Sequence, residues 1–157
     1  MDDADHRAVA IGCFNRCWEL LETEPRTDDQ DIELLTEAFT SRHHWLAVGA
    51  AEQWIIADWM VSRAAATLGF GDLALRFAER AYAAGLAEGT PDWLHASTAE
   101  GVARAFAAVD DLVESEAWCA VAAHLVERIA DEDDRAVVAG QLADLRGDRH
   151  ADQSGAD

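Results

Sequence analysis

The sequence predicts an all-α fold of about seven helices stacked as antiparallel hairpins, and three observations carry the prediction. Glu52-Gln53-Trp54-Ile55-Ile56-Ala57 opens one helical run, and Pro91-Asp92-Trp93-Leu94-His95-Ala96 opens another 39 residues later. At the same offset Ala64 falls on Ala103, Ala66 on Ala105, Asp72 on Asp111 and Leu73 on Leu112. A period of that size is the length of a helix, a turn and a second helix, the unit of helical repeat arrays. Apolar residues elsewhere recur at helical intervals, and the run from Ala50 to Leu68 is apolar nearly all round, as in a helix packed on several sides.

The elements follow in order. A first helix is expected from about Asp5 to Glu22, with Ala10, Cys13, Phe14, Cys17, Trp18 and Leu21 as its inner stripe and Pro25 ending it. Thr27 suits the cap of the second helix, because its hydroxyl can accept from orphan amides while Asp28, Asp29 and Asp31 complement the positive end of the dipole. That helix carries Ile32, Leu35, Phe39 and Leu46 at helical spacing, and Gly49 closes or kinks it. After the central helix, Gly69-Phe70-Gly71-Asp72 reads as a tight turn and Leu73 to Ala84 as an amphipathic return. A fifth helix from Trp93 to Ala108 is rich in small residues, which let helix axes approach. A sixth runs from about Asp111 to Ile129, and a seventh from about Asp133 to Leu145 caps the open end of the stack. Residues 1–146 therefore form a single helical domain, with 147–157 expected as a disordered acidic tail.

Size and charge bound the function. A chain of 157 residues buries about two-thirds of its unfolded surface and needs neither metal nor disulfide for stability. There are 31 acidic residues against 12 basic ones, all arginine, for a formal charge of −19. Such a surface repels phosphate backbones and anionic lipid, so neither nucleic acid nor membrane is an expected partner, and a basic protein or peptide fits better. No apolar run reaches the roughly 20 residues that span a bilayer, and Met1-Asp2-Asp3-Ala4-Asp5 lacks the basic start of a signal peptide, so a cytoplasmic location is expected. Cys13, Cys17 and Cys119 read as reduced core thiols.

The segment from Ser62 to Ala81 resembles a tetratricopeptide repeat. Ser62, Gly69, Ala74 and Ala81 take the family's small positions, and Phe77 lies close to its aromatic one. The likeness extends more weakly over Ala96 to Val121, where Val113 stands at an expected alanine and Asp110-Asp111 at the glycine turn. The line from His43-His44-Trp45 through Trp54, Trp59, Ser62 and Arg63 is also similar to small uncharacterised bacterial proteins of this helical build. The resemblance implies a right-handed array of hairpins that binds peptide segments or partner helices in a concave groove. The chain is thus expected to be an interaction or assembly module of the bacterial cytoplasm rather than an enzyme.

A second expectation is a small-molecule or metal pocket, catalytic or sensory, between the second, third and fifth helices. His43 falls on the apolar stripe of the second helix, with His44 pointing outward, and His95 aligns with Ala99, Val102 and Phe106. Asp58 and Arg63 are the only formal charges between Gln53 and Gly71 and require partners from other helices or a cavity. His43, Asp58, Arg63 and His95 would line one polar pocket walled by Trp45, Trp54, Trp59 and Trp93. Two imidazoles and a carboxylate can hold zinc or iron or act as a general base with its orienting acid; a buried network fixing how the hairpins stack uses the same residues. No HExxH, CxxC, GxSxG or phosphate-binding glycine loop occurs, so no cofactor or resident metal is implied. A homodimer formed through exposed tryptophans is a third reading.

Overall fold

A computed structural model describes the backbone of residues 1–154 and the side chains of residues 1–147. Among these the chain forms α1 (Asp3–Leu21), α2 (Asp28–Val48), α3 (Ala51–Thr67), α4 (Gly71–Gly85), α5 (Asp92–Ala108), α6 (Leu112–Val126) and α7 (Glu132–Ser154), with no strand. The expected tail from Gly147 falls on the end of α7, and most of it lies outside the described side chains.

Local chemistry sets the helix starts. Thr27 accepts from the Gln30 amide while the Gln30 side chain accepts from the Thr27 amide, a reciprocal box that satisfies two orphan donors. Asp2 and Asp5 build the same box on α1, and Asp111 caps α6 by accepting from Glu114 N. The hairpin turns are equally specific. Gly69 has φ +77° and Asp110 φ +60°, and after each the next amide reaches back five residues, Phe70 N to Ala65 O at 2.9 Å and Asp111 N to Phe106 O at 3.0 Å. Glycine takes the left-handed conformation freely and aspartate tolerates it, which is how both sequences close one turn.

These turns correct the repeat register. Ala51 and Asp92 open α3 and α5, Gly71 and Leu112 open α4 and α6, and each pair is 41 positions apart, not 39. Trp54 and Trp93, 39 residues apart, are not equivalent positions: Trp54 is exposed whereas Trp93 packs against the core. In the 41-residue register Arg63 corresponds to Arg104, Phe77 to Trp118 and Ala81 to Ala122. Ser62 corresponds to Ala103 and Ala74 to Ser115. Ser62 Oγ donates to Ala74 O at 2.8 Å, and Ser115 Oγ donates to Ala103 O at 2.8 Å. One cross-hairpin bond is therefore made twice, with the serine on opposite helices.

Small residues hold the axes of each hairpin together: Ser62 with Ala74, Ala78 and Ala81, then Ala103 with Ser115, Cys119 and Ala122, all buried. In the first hairpin Cys17 Sγ approaches Leu34 O at 3.9 Å and Ser41 Oγ donates to Ala10 O at 2.8 Å. Leu34, Ala38 and Ser41 are thus the inner face of α2, rather than Ile32, Phe39 and Leu46, which are exposed. The apolar period holds but its phase is rotated, because Leu34 with the short side chains of Ala38 and Ser41 fills the contact with α1 in place of Ile32, Phe39 and Leu46.

Consecutive helices pack as hairpins, and the backbones of α1, α3, α5 and α7 also approach one another in turn. α2 and α4 meet through long side chains such as Phe39 and Phe77, ring centroids 5.6 Å apart. The odd-numbered helices therefore share one face of the stack. Leu20, Leu34, Met60 and Leu94 are fully or almost fully buried between the layers, each stabilising the fold by roughly 1.5–3 kcal/mol. As expected, α3 is central, touching α1, α2, α4 and α5.

Candidate functional site

The shared face of the odd-numbered helices is a groove of about 480 Å³. α1 contributes Ile11, Phe14 and Trp18; α3 Gln53, Ile56 and Trp59; α5 Trp93, Leu94 and Ser97; α7 Asp134, Val137, Val138 and Gln141, with Trp45 from the end of α2. Four of the six tryptophans stand here, and Asp134 is the lone formal charge among the lining residues. The volume and lining are those of a site that encloses an apolar group and fixes it with a few polar contacts.

Trp59 is its best-defined wall. Its Nε1 donates to Ser97 O at 3.0 Å, its ring lies 5.9 Å from that of Trp18, and the bare Gly101 lets it lie across α5. Trp93 and Trp45 also line the groove, whereas Trp54 does not. It is 43% exposed and donates from Nε1 to Trp45 O at 3.0 Å, outside the groove.

Arg63 finds the acidic partner on another helix that its position demands, Glu100 of α5, with Nη1 3.8 Å from Oε2. Its guanidinium carbon sits 5.0 Å from the Trp18 ring centroid and 5.5 Å from that of Trp59, a cation held between two aromatic faces. Burial, reinforced by the nearby Arg104, pushes the Arg63 pKa down to about 10, which leaves it cationic at neutral pH. Glu100 is fully buried and takes Arg104 as its second cation, through Nε at 2.9 Å and through Nη2. Arg104 Nη2 also donates to Gln141 O at 3.2 Å, tying α7 to the cluster. Arg63 Nη1, Glu100 Oε2 and Gln141 Oε1 are buried without a hydrogen-bond partner, so polar potential remains beneath the Trp18 and Trp59 wall.

The four polar residues expected to converge are held in separate contacts. Asp58 faces α2 and α4, accepting from Arg42 Nε and, at 3.2 Å, from Arg80 Nε; it meets neither His43 nor His95. Five positions of helix turn it away from Arg63. His95 lies beside Tyr82, ring centroids 5.6 Å apart, with Nε2 buried and unpartnered. The rotated phase of α2 reverses the two histidines: His43 is exposed, while His44 turns to α1 and sets its Nδ1 2.9 Å from that of His6. Burial, then the charges of His6 and His43, push the His44 pKa down. Among the described residues no group of three or more His, Cys, Asp or Glu side chains is placed to hold a metal ion.

Sequence reasoning missed Glu100, which looks like half of an ordinary i,i+4 surface pair with Arg104 until α3 and α7 cover it. Phe14 and Trp18, which helical spacing places on the inner stripe of α1, also face the groove. Comparison with known protein families, curated proteins and solved structures gives no match. The fold and site define an all-α stack of helical hairpins with an aromatic groove along its odd-numbered helices, and among the described residues no helix is long and apolar enough to cross a membrane.

Proposed function

We propose that this is a tetratricopeptide-like interaction module of the bacterial cytoplasm that holds a basic, amphipathic partner helix in its groove. The observation that carries the reading is the lining: successive odd-numbered helices each contribute apolar or aromatic side chains to one continuous trough. The twice-made serine bond and the buried small residues of each hairpin support the family likeness. An apolar helix face would be covered by Phe14, Trp18, Trp59, Trp93 and Val138, the mode in which amphipathic helices enter grooves. A net charge of −19, with Asp131, Glu132, Asp133 and Asp134 at the start of α7 beside the groove, favours cationic residues flanking that face.

The test compares two synthetic helical peptides that share one apolar face and carry either arginine or glutamate on the other. Quenching or blue shift of the groove tryptophans reads binding. The arginine peptide should bind at least about tenfold more tightly at low salt and lose that advantage as salt rises. Val137→Arg adds a bulky cation to the groove at a position already 61% exposed, so it should abolish binding without unfolding the chain. Equal affinity for both peptides, or no effect of Val137→Arg, would defeat the reading.

A further inference from the structure

The contact between His6 and His44 has no role in the groove and joins two helices through side chains 38 positions apart. Both are half-buried, so each keeps part of its surface in contact with solvent. An Nδ1 to Nδ1 distance of 2.9 Å brings two ring nitrogens together between α1 and α2 at hydrogen-bond length. Without a metal, one ring must donate and the other accept across that gap.

We propose that His6 and His44 chelate a single divalent transition metal ion, copper(II) or nickel(II) in preference to zinc. Two nitrogens bound to one ion at about 2.0–2.1 Å stand roughly 2.9 Å apart when the ligands are at right angles, and about 3.3 Å apart in a tetrahedron. The hydrogen-bonded rings already hold their Nδ1 atoms at 2.9 Å, so a square-planar or tetragonal copper(II) or nickel(II) site needs the two rings to tilt toward the ion but not the two nitrogens to separate. Zinc requires the helices to open by a few tenths of an ångström. On binding, the ring that carries its proton on Nδ1 shifts it to Nε2, and both Nδ1 lone pairs go to the metal. With two protein ligands, water completes the coordination, so the ion exchanges readily and its remaining positions are open to a further ligand. The order of affinity should follow geometry and the intrinsic preference of nitrogen sites together: copper above nickel, zinc weakest.

The experiment titrates copper(II), nickel(II) and zinc(II) separately into the full-length, tag-free chain after chelator treatment, read by calorimetry and by the visible spectrum of bound copper. One equivalent should bind, in that order. His6→Ala, His44→Ala and the gentler His44→Asn should each lower the copper affinity at least tenfold, with folding followed by circular dichroism. His124→Ala, which removes the exposed histidine beside Glu127 on α6, should leave it unchanged. Wild-type copper affinity in His6→Ala or His44→Asn, loss of binding in His124→Ala, or no saturable binding up to millimolar metal would each overturn the proposal.

Discussion

Trp59 lies directly against the bare backbone of Gly101: a methyl group built there would stand 3.0 Å from Trp59 Cδ1 and 3.3 Å from Nε1. The indole is only 6% exposed and is fixed by its bond to Ser97 O, so it has little room to yield. The missing side chain of one helix thus shapes the groove wall supplied by another.

Gly101→Ala should therefore destabilise the protein although alanine is the better helix former. Overpacking costs about 1–3 kcal/mol, and replacing a mid-helix glycine returns about 1 kcal/mol. A net loss of about 1 kcal/mol is expected in urea unfolding, with a changed near-ultraviolet tryptophan spectrum. A gain in stability with an unchanged spectrum would show that the ring moves aside freely.

The Glu100 cluster should respond unequally to loss of its members. Glu100→Gln leaves Arg63 and Arg104 facing each other without their buried carboxylate, and breaking a buried ion group in this way costs about 3–5 kcal/mol. Arg63→Met keeps the stem against Trp18 and Trp59, and Glu100 retains Arg104, so about 1–2 kcal/mol is expected, mostly the lost cation–π contact. The double variant should cost less than the two single changes added together, because they share one network. Chemical denaturation of the three variants measures this; a larger loss in Arg63→Met than in Glu100→Gln would contradict the arrangement.

Cys13 and Cys17 should be unreactive in the folded chain. Burial, reinforced by Glu37, pushes both thiols from the ordinary value near 9 up to about 12. The thiolate is the reactive form, so alkylation at pH 8 should be at least about 100-fold slower than in denaturant. Because the folded-state pKa values are raised, the unfolded chain loses these protons first. Their contribution to stability is complete below pH 9 and is lost as pH rises from 9 toward 12. Thermal unfolding across that window should show the midpoint falling, and Cys13→Ala should reduce the fall. Rapid alkylation of the native protein at pH 8 would refute the burial argument.

Local sequence is sufficient for the all-α class, the Thr27 cap and the helix boundaries to within a few residues, except the end of α7, which runs to Ser154 and not to Leu145; each of the others depends on neighbours within one turn. The central place of Ala51–Thr67 was also legible, since a helix apolar on every side has nowhere to lie except among others. The demand of Arg63 for a carboxylate on another helix was legible too, because a buried guanidinium needs one wherever it sits. Which carboxylate met it was decided only by tertiary packing: Glu100 and Arg104 resemble a solvated surface pair until α3 and α7 close over them. The same holds for α2, where periodicity gave the spacing of apolar residues but not the phase. The short contacts of Ala38 and Ser41 with α1 turned Phe39 and His43 outward and brought His44 onto His6. A helix's own sequence fixes the angle between its side chains, and only the neighbouring helix fixes which of them it touches.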